Sequence, residues 1–191
     1  LGIAYNTENS VYYKDELLFV IAHEVLQNNY ENYYNLESIE HTNWWQWEIG
    51  YPLLLNDILI LFLERLEKDL IDKIIDVTRY FLPDERYLGN NPVAMHPSGS
   101  PLRPATGGNL IDTCKIMFLR GALLNSLEIC QKAVESISET LEIISEKNVE
   151  TLSNRDGFYA DGSFIQHGFI PYAGTYGNVL LSGIAEIIYL V

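Results

Sequence analysis

The sequence predicts an all-α protein made of paired helices, and three observations carry that expectation. Apolar residues recur at three- and four-residue spacing in one segment after another. No stretch alternates apolar and polar residues as a half-buried strand would. Between the helix pairs lie loops rich in glycine, proline, asparagine and aromatic residues, at 38–52, 83–109 and 152–177. Stacked αα-hairpins that share one core read as part of a toroid or solenoid, although no tandem sequence repeat is visible.

Residues 12–36 carry Leu17, Leu18, Ile21, Val25 and Leu26 at helical spacing and predict a first amphipathic helix. The run Leu53–Leu66 is apolar nearly all round, which predicts a buried helix, and Pro52 suits its first turn. Asp69–Leu82 places Leu70, Ile74, Val77 and Phe81 on one face and stops at Pro83, so the two segments form a helical hairpin. A long loop follows, including Met95-His96-Pro97-Ser98-Gly99-Ser100-Pro101-Leu102-Arg103-Pro104, and leads into Thr106-Gly107-Gly108-Asn109. Asn109 stands where an N-cap belongs for a helix from about Leu110 to Asn125. The two glycines before it allow close approach of backbone to another group, which a simple cap does not require. Ser126 can cap a further helix, expected over Leu127 to about Thr151, with Ile129, Ala133, Ile137, Leu141 and Ile144 on its core face. Its charges, Glu135, Glu139, Glu142, Glu146 and Lys147, read as a solvated face. A last helix is expected over Asn178–Val191.

Two loops carry chemistry. The stretch Asp156–Asn178 holds six aromatics, five glycines and one histidine with almost no periodicity. So long an irregular segment is usually functional or disordered, and its aromatic content argues for order. His167 and Tyr176 are its proton-transfer candidates, since imidazole titrates near neutrality and a phenol can donate or accept; both could equally be packing residues with a hydrogen-bonded tip. In His41-Thr42-Asn43-Trp44-Trp45-Gln46-Trp47-Glu48, three tryptophans within four residues cannot all face one core. Trp44 and Trp45 are read as exposed faces on which sugar rings stack, with Asn43 and Gln46 as polar neighbours, and Trp47 less so.

The formal net charge of −14 argues against general nucleic-acid binding, which needs a basic face. A polyanionic substrate would need locally placed basic groups. Cys114 and Cys130 fit neither a disulfide framework nor a metal-ligand spacing and read as buried thiols. No apolar run of membrane-spanning length occurs, and the first residues show no basic region followed by an apolar stretch. No metal-ligand cluster or cofactor is expected.

Asn43-Trp44-Trp45-Gln46-Trp47-Glu48-Ile49-Gly50, Thr106-Gly107-Gly108-Asn109-Leu110-Ile111-Asp112 and Asp156–His167 through Tyr176-Gly177-Asn178 stand in a particular order. In these three motifs the chain resembles the polysaccharide lyases of the hyaluronate, chondroitin AC and xanthan lyase family. The resemblance covers most of the chain and implies residues 1–191 as a fragment of the catalytic (α/α)-toroid domain, without the family's C-terminal β-sandwich domains. It implies a secreted or cell-surface lyase, expected as a monomer, that cleaves uronic-acid polysaccharides by β-elimination without metal or cofactor. Asn109 matches the asparagine that binds the uronic carboxylate, and His167 and Tyr176 match the family's histidine and tyrosine. Trp44 and Trp45 match the aromatic patch; Asn43 and Arg103 are placed with them as substrate-binding. Arg103 departs from the pattern, because hyaluronate lyases have an aromatic there. The segment between Asn109 and His167 is several residues longer than in those enzymes, and a further family arginine would fall beyond this chain.

Either His167 or Tyr176 is the expected base, with Tyr176 serving the leaving oxygen. Two other readings stand beside this one. An inverting glycoside hydrolase would use two of Asp156, Asp161, Glu48 and Asp57. A carbohydrate-binding fragment would keep the tryptophans but lack complete chemistry.

Overall fold

The computed structural model describes residues 2–90, 102–145 and 156–190. Met95–Pro101 of the long loop and the expected helical residues beyond Ser145 lie outside them. The chain divides into two compact units, one formed mainly by residues 1–83 and the other by 84–90 and 99–191.

The first unit contains α1 (Gly2–Asn6), α2 (Glu16–Asn32), α3 (Tyr51–Leu61) and α4 (Lys68–Phe81). Asp15 caps α2 by accepting the Leu18 N–H at 2.8 Å. A single π-helical turn, Gln46–Gly50, runs directly into α3 and has Pro52 in the first turn that follows. The centre of this unit is aromatic. Tyr34 stacks on Phe81 at 4.9 Å between ring centroids, and Trp47 meets Phe81 at 5.2 Å. The Tyr34 hydroxyl donates to the Trp47 carbonyl at 2.8 Å, so burial leaves its polar tip satisfied. The expected face of α4 is buried as read, through Leu70, Ile74, Val77 and Phe81.

The expected face of α2 is displaced by one residue. Leu17, Ile21 and Val25 are exposed, while Leu26 is buried and Leu18 and Ala22 are half-buried. Apolar residues occupy adjacent stripes of this helix, and the spacing alone does not say which stripe packs. Likewise Leu54, Ile60 and Leu63 are exposed, so the Leu53–Leu66 run is not buried all round, and α3 ends at Leu61. Ile21, Val25, Leu54 and Ile58 line an open apolar hollow between α2 and α3.

In the second unit, α5 (Gly107–Leu123) packs against both α6 (Leu127–Ser138) and α7 (Asn178–Leu190). Ile111, Cys114 and Ile116 of α5 are fully buried. Cys130 is only half-buried, its thiol 3.5 Å from the Phe118 carbonyl. Before α5, β1 (Tyr87–Leu88) pairs antiparallel with β2 (Arg103–Pro104). The buried Glu85 accepts a 2.8 Å bond from the Ser136 hydroxyl, and its backbone carbonyl accepts one from Thr113 at 2.7 Å.

Two further expectations are corrected here. Helix α6 ends at Ser138, and a 3₁₀ turn over Glu139–Leu141 rotates the following residues out of phase, leaving Leu141 exposed. The aromatic loop is a small antiparallel meander of β3 (Gly157–Phe158), β4 (Phe164–Gln166) and β5 (Ile170–Pro171). Strands of two or three residues are too short to show alternation in the sequence. Ile144 reaches the meander, its N–H donating to the Phe158 carbonyl at 2.8 Å. The all-α class stands, with these strands as local additions.

Phe81→Ala should empty the aromatic centre of the first unit and lower its stability by about 3–5 kcal/mol. Urea denaturation followed by tryptophan fluorescence would measure this, and a loss below about 1 kcal/mol would contradict the packing described.

Candidate active site

Asn109 is not the cap of α5. Thr106 occupies that position with extended backbone, and Asn109 is the third helical residue. The Thr106 hydroxyl does not cap its own helix; it donates instead to Asp156 Oδ2 at 2.8 Å. Gly107 has a φ of +52°, and a Cβ there would lie 2.2 Å from Gln166 Oε1. A Cβ on Gly108 would lie 2.8 Å from the Tyr176 ring and 3.1 Å from its carbonyl oxygen. The two glycines thus bring the start of α5 against the loop that carries His167 and Tyr176. Asn109 follows at once, 7% exposed, with its Oδ1 buried and lacking a hydrogen-bond partner. A buried, unsatisfied amide oxygen is costly and uncommon.

His167 sits at the turn between β4 and β5 with a φ of +57°, a left-handed conformation unfavourable for a residue with a Cβ by about 1–2 kcal/mol. Gly168 is also left-handed. The residues on either side of the histidine are both tied to Asp156: the Gln166 amide donates to Oδ2 at 2.7 Å and the Gly168 N–H to Oδ1 at 2.6 Å. Gln166 also accepts the Gly108 N–H at 3.1 Å and donates to the Thr106 carbonyl at 3.3 Å.

The imidazole ring is exposed and stands edge-to-face against Tyr176 at 5.2 Å between centroids. Tyr172 completes the group at 5.2 Å from Tyr176 and 6.0 Å from His167. Tyr176 belongs to a π-helical turn, Ala173–Gly177, that leads into α7. Burial first, then the charges of Tyr172, Asp112 and Asp156, push the Tyr176 phenol above its ordinary pKa. Asp112, one turn beyond Asn109 on α5, is pushed up to about 6, mainly by burial.

In the first unit, Trp45 is 36% exposed and its ring covers Gly50, where a Cβ would be 2.8 Å away. Trp44 is half-buried. Trp47 is buried, its indole N–H donating to the His41 carbonyl at 2.9 Å, so it belongs to the core. Asn43 is exposed, and its side chain accepts the Trp45 N–H at 3.1 Å. Arg103 lies in β2, half-buried, in the second unit. Asn109, His167 and Tyr176 therefore come together within one unit, while Trp44, Trp45 and Asn43 belong to the other.

Of the carboxylates weighed for hydrolysis, Glu48 is fully buried, and Asp161 holds a turn by accepting the Ser163 N–H at 2.9 Å. Both oxygens of Asp156 are engaged as described. Among the described residues no cluster of metal-ligating side chains occurs, and no helix is long and apolar enough to cross a membrane. Sequence reasoning did not single out Gln166, Tyr172 or Asp112. The Gly-Gly pair was the available signal for Gln166, since it demanded a close neighbour without naming it.

A protein whose paired helices present an asparagine at one helix start, beside a histidine and tyrosine on the adjoining loop, has the make-up of a helical lyase domain. The chain belongs to polysaccharide lyase family 8: the family model described as its N-terminal alpha-helical domain matches residues 1–191. It is 30% identical over 193 aligned residues to hyaluronate lyase HylB of Cutibacterium acnes, covering 100% of this chain and 22% of that protein. It is 29% identical to xanthan lyase of Bacillus sp., over 84% of this chain and 15% of that one. The solved chondroitin AC lyase of Streptomyces coelicolor, in complex with chondroitin sulphate, superposes with a TM-score of 0.80 at 28% identity. That match covers 97% of this chain and 22% of the other. The chain thus spans about a fifth of the length of the relatives it matches first.

Two outcomes test this geometry. Trp47→Ala should cost about 3–5 kcal/mol of stability and Trp45→Ala much less, as read by thermal and urea unfolding; equal losses would place both in the core. Asp112 titrates higher folded than its ordinary 3.8, so the fold favours its neutral form. The stability it contributes is present at low pH and lost as pH rises through about 6. Asp112→Asn should therefore gain on the wild type between acid and neutral pH by on the order of 1 kcal/mol or more. A constant difference across that range would contradict the assignment.

Proposed function

We propose that this chain carries the proton-transfer centre of a lyase that cleaves uronic-acid polysaccharides of the hyaluronan, chondroitin or xanthan type by β-elimination. The observation that carries the reading is that Tyr176, which the His167 ring meets edge-on, packs against Gly108, the residue directly before Asn109. Membership of the family and the names of its relatives support the same class of reaction.

Removing the C5 proton of a uronate spreads further negative charge onto its carboxylate. The Asn109 carboxamide can donate to that carboxylate as charge develops, an effect comparable to an oxyanion-hole donor. Its neutral, largely buried site gives such a bond more weight than it would have in water. The raised pKa of Tyr176 keeps its phenol protonated at neutral pH, which suits an acid and disfavours a base. His167 then takes the C5 proton. The C5–H electrons form the C4=C5 bond, the C4–O bond breaks, and the departing oxygen takes the Tyr176 proton. Within the first unit Trp45 and Trp44 offer aromatic surface on which sugar rings can stack, and within the second Arg103 offers a local positive charge. A secreted or cell-surface enzyme, monomeric and independent of metal or cofactor, is the setting that fits this reading.

The test is ultraviolet absorbance of the conjugated, unsaturated uronate formed on hyaluronan, chondroitin and xanthan, since hydrolysis or simple binding produces no such chromophore. In an active lyase containing this chain, Asn109→Ala should lower kcat by about 100- to 1,000-fold with little change in melting temperature. Tyr176→Phe should remove nearly all activity, and the alkaline limb of the wild-type pH profile should lie above the range of an ordinary phenol. Wild-type turnover by either variant, or a tyrosine-dependent limb below the range of an ordinary phenol, would overturn the mechanism.

A further inference from the structure

We propose that Asp156 and Gln166 are positioning residues that set His167 and Asn109 relative to each other. The inference rests on the lyase reading for its catalytic consequence, but not for its structural content.

Asp156 stands just before the first strand of the meander, and its carboxylate gathers three donors. Oδ1 accepts the Gly168 N–H at 2.6 Å; Oδ2 accepts the Gln166 amide at 2.7 Å and the Thr106 hydroxyl at 2.8 Å. Two of these donors belong to the residues immediately before and after His167. The histidine backbone is held in a left-handed conformation that an unconstrained residue with a Cβ rarely adopts. A carboxylate gripping both neighbours is the evident restraint. Charge-assisted bonds of this kind are stronger than neutral ones.

Gln166 makes the second link. It is 1% exposed and uses both ends of its amide: Oε1 accepts the Gly108 N–H at 3.1 Å, while Nε2 donates to Asp156 and to the Thr106 carbonyl. Gly108 directly precedes Asn109. One buried side chain therefore bonds to the backbone next to Asn109 and lies next to His167 in the chain. The amide is suited to this because it must accept at one end and donate at the other. Glycine at 107 is required by the same contact, since a Cβ there would meet Gln166 Oε1 at 2.2 Å.

Neither residue touches reacting atoms in this account. Their effect is on geometry, where a displacement of about 1 Å can cost about 100-fold in rate.

The first experiment uses the chain itself and needs no activity. NMR would read the His167 backbone conformation from its Cα shift and HN–Hα coupling, together with amide exchange at Gly108 and Gly168. Asp156→Ala should release His167 from its left-handed state and speed Gly168 exchange by about tenfold or more. Gln166→Ala should do the same for Gly108. Where Asp156→Ala fails to fold, Asp156→Asn is measured in its place, since it keeps an acceptor for Gly168 but sets donor against donor at Gln166. An unchanged His167 conformation and unchanged exchange in folded variants would overturn the proposal. The second experiment uses an active lyase containing this chain. Asp156→Asn should lower kcat by about 100-fold with KM nearly unchanged. A wild-type kcat in Asp156→Asn would overturn it. Absence of elimination in the wild type would refute the lyase reading instead and leave the NMR result to decide this one.

Discussion

The start of α5 has no room for side chains, and the second unit is arranged around that constraint. Gly107 faces the Gln166 amide and Gly108 faces the Tyr176 ring, each at a distance that a Cβ would violate. Close approach lets Gln166 satisfy the Gly108 N–H, one of the donors that a helix leaves open at its first turn. The usual cap interaction is therefore absent, and the Thr106 hydroxyl is free to bond Asp156. An ordinary capped helix would keep its side chains and hold the meander away. Here the cap is supplied from the meander, so helix and loop are joined by the bonds that end the helix.

The same closeness explains the electrostatics. The chain is strongly acidic, and Asp112 and Asp156 both act on Tyr176 to raise its pKa. Such surroundings repel a polyanion in general while favouring a phenol that keeps its proton. In the proposed reaction the group that meets the substrate carboxylate is the neutral Asn109, which adds no charge and would bind through oriented dipoles. That choice suits a buried position, because an isolated buried cation would carry a large desolvation cost. A neutral partner also adds little to the binding of an already ionised carboxylate, and gains most as further charge develops on it.

Legibility in the sequence followed the range of the forces involved. Helical spacing located α4 and α7 to within a residue and α5 to within three, because burial along one face repeats every turn. It misjudged α2, where Leu17, Ile21 and Val25 compete with Leu18, Ala22 and Leu26 for the core and only tertiary packing decides. The length of α6 was also missed, since nothing in the run of glutamates and isoleucines marks the change at Ser138. His167 and Tyr176 stood out by residue type. Asp156 was noticed as a carboxylate and given a hydrolytic candidacy, but its partners lie 10, 12 and 50 residues away in sequence. A role fixed by such partners has no local signature.

The two groups of candidate residues are also supported differently. Trp44 and Trp45 stand immediately before a π-helical turn continuous with α3, and Tyr176 lies within a second one continuous with α7. A π turn inserts a residue into the helical ladder and is frequent at functional sites, because it redirects a side chain without breaking the helix behind it. Trp45 and Tyr176 thus inherit the rigidity of the helices that follow them. His167 has no such support: it is exposed, left-handed and placed on a turn between two very short strands. Beside its edge contacts with Tyr172 and Tyr176, it is restrained through its chain neighbours Gln166 and Gly168, both bonded to the Asp156 carboxylate. By bonding both residues that flank the imidazole, Asp156 restrains its backbone, and Gln166 extends that restraint to Gly108 beside Asn109. In the proposed reaction this part-buried network acts together with the packing of α5 against α7 in aligning His167 and Tyr176.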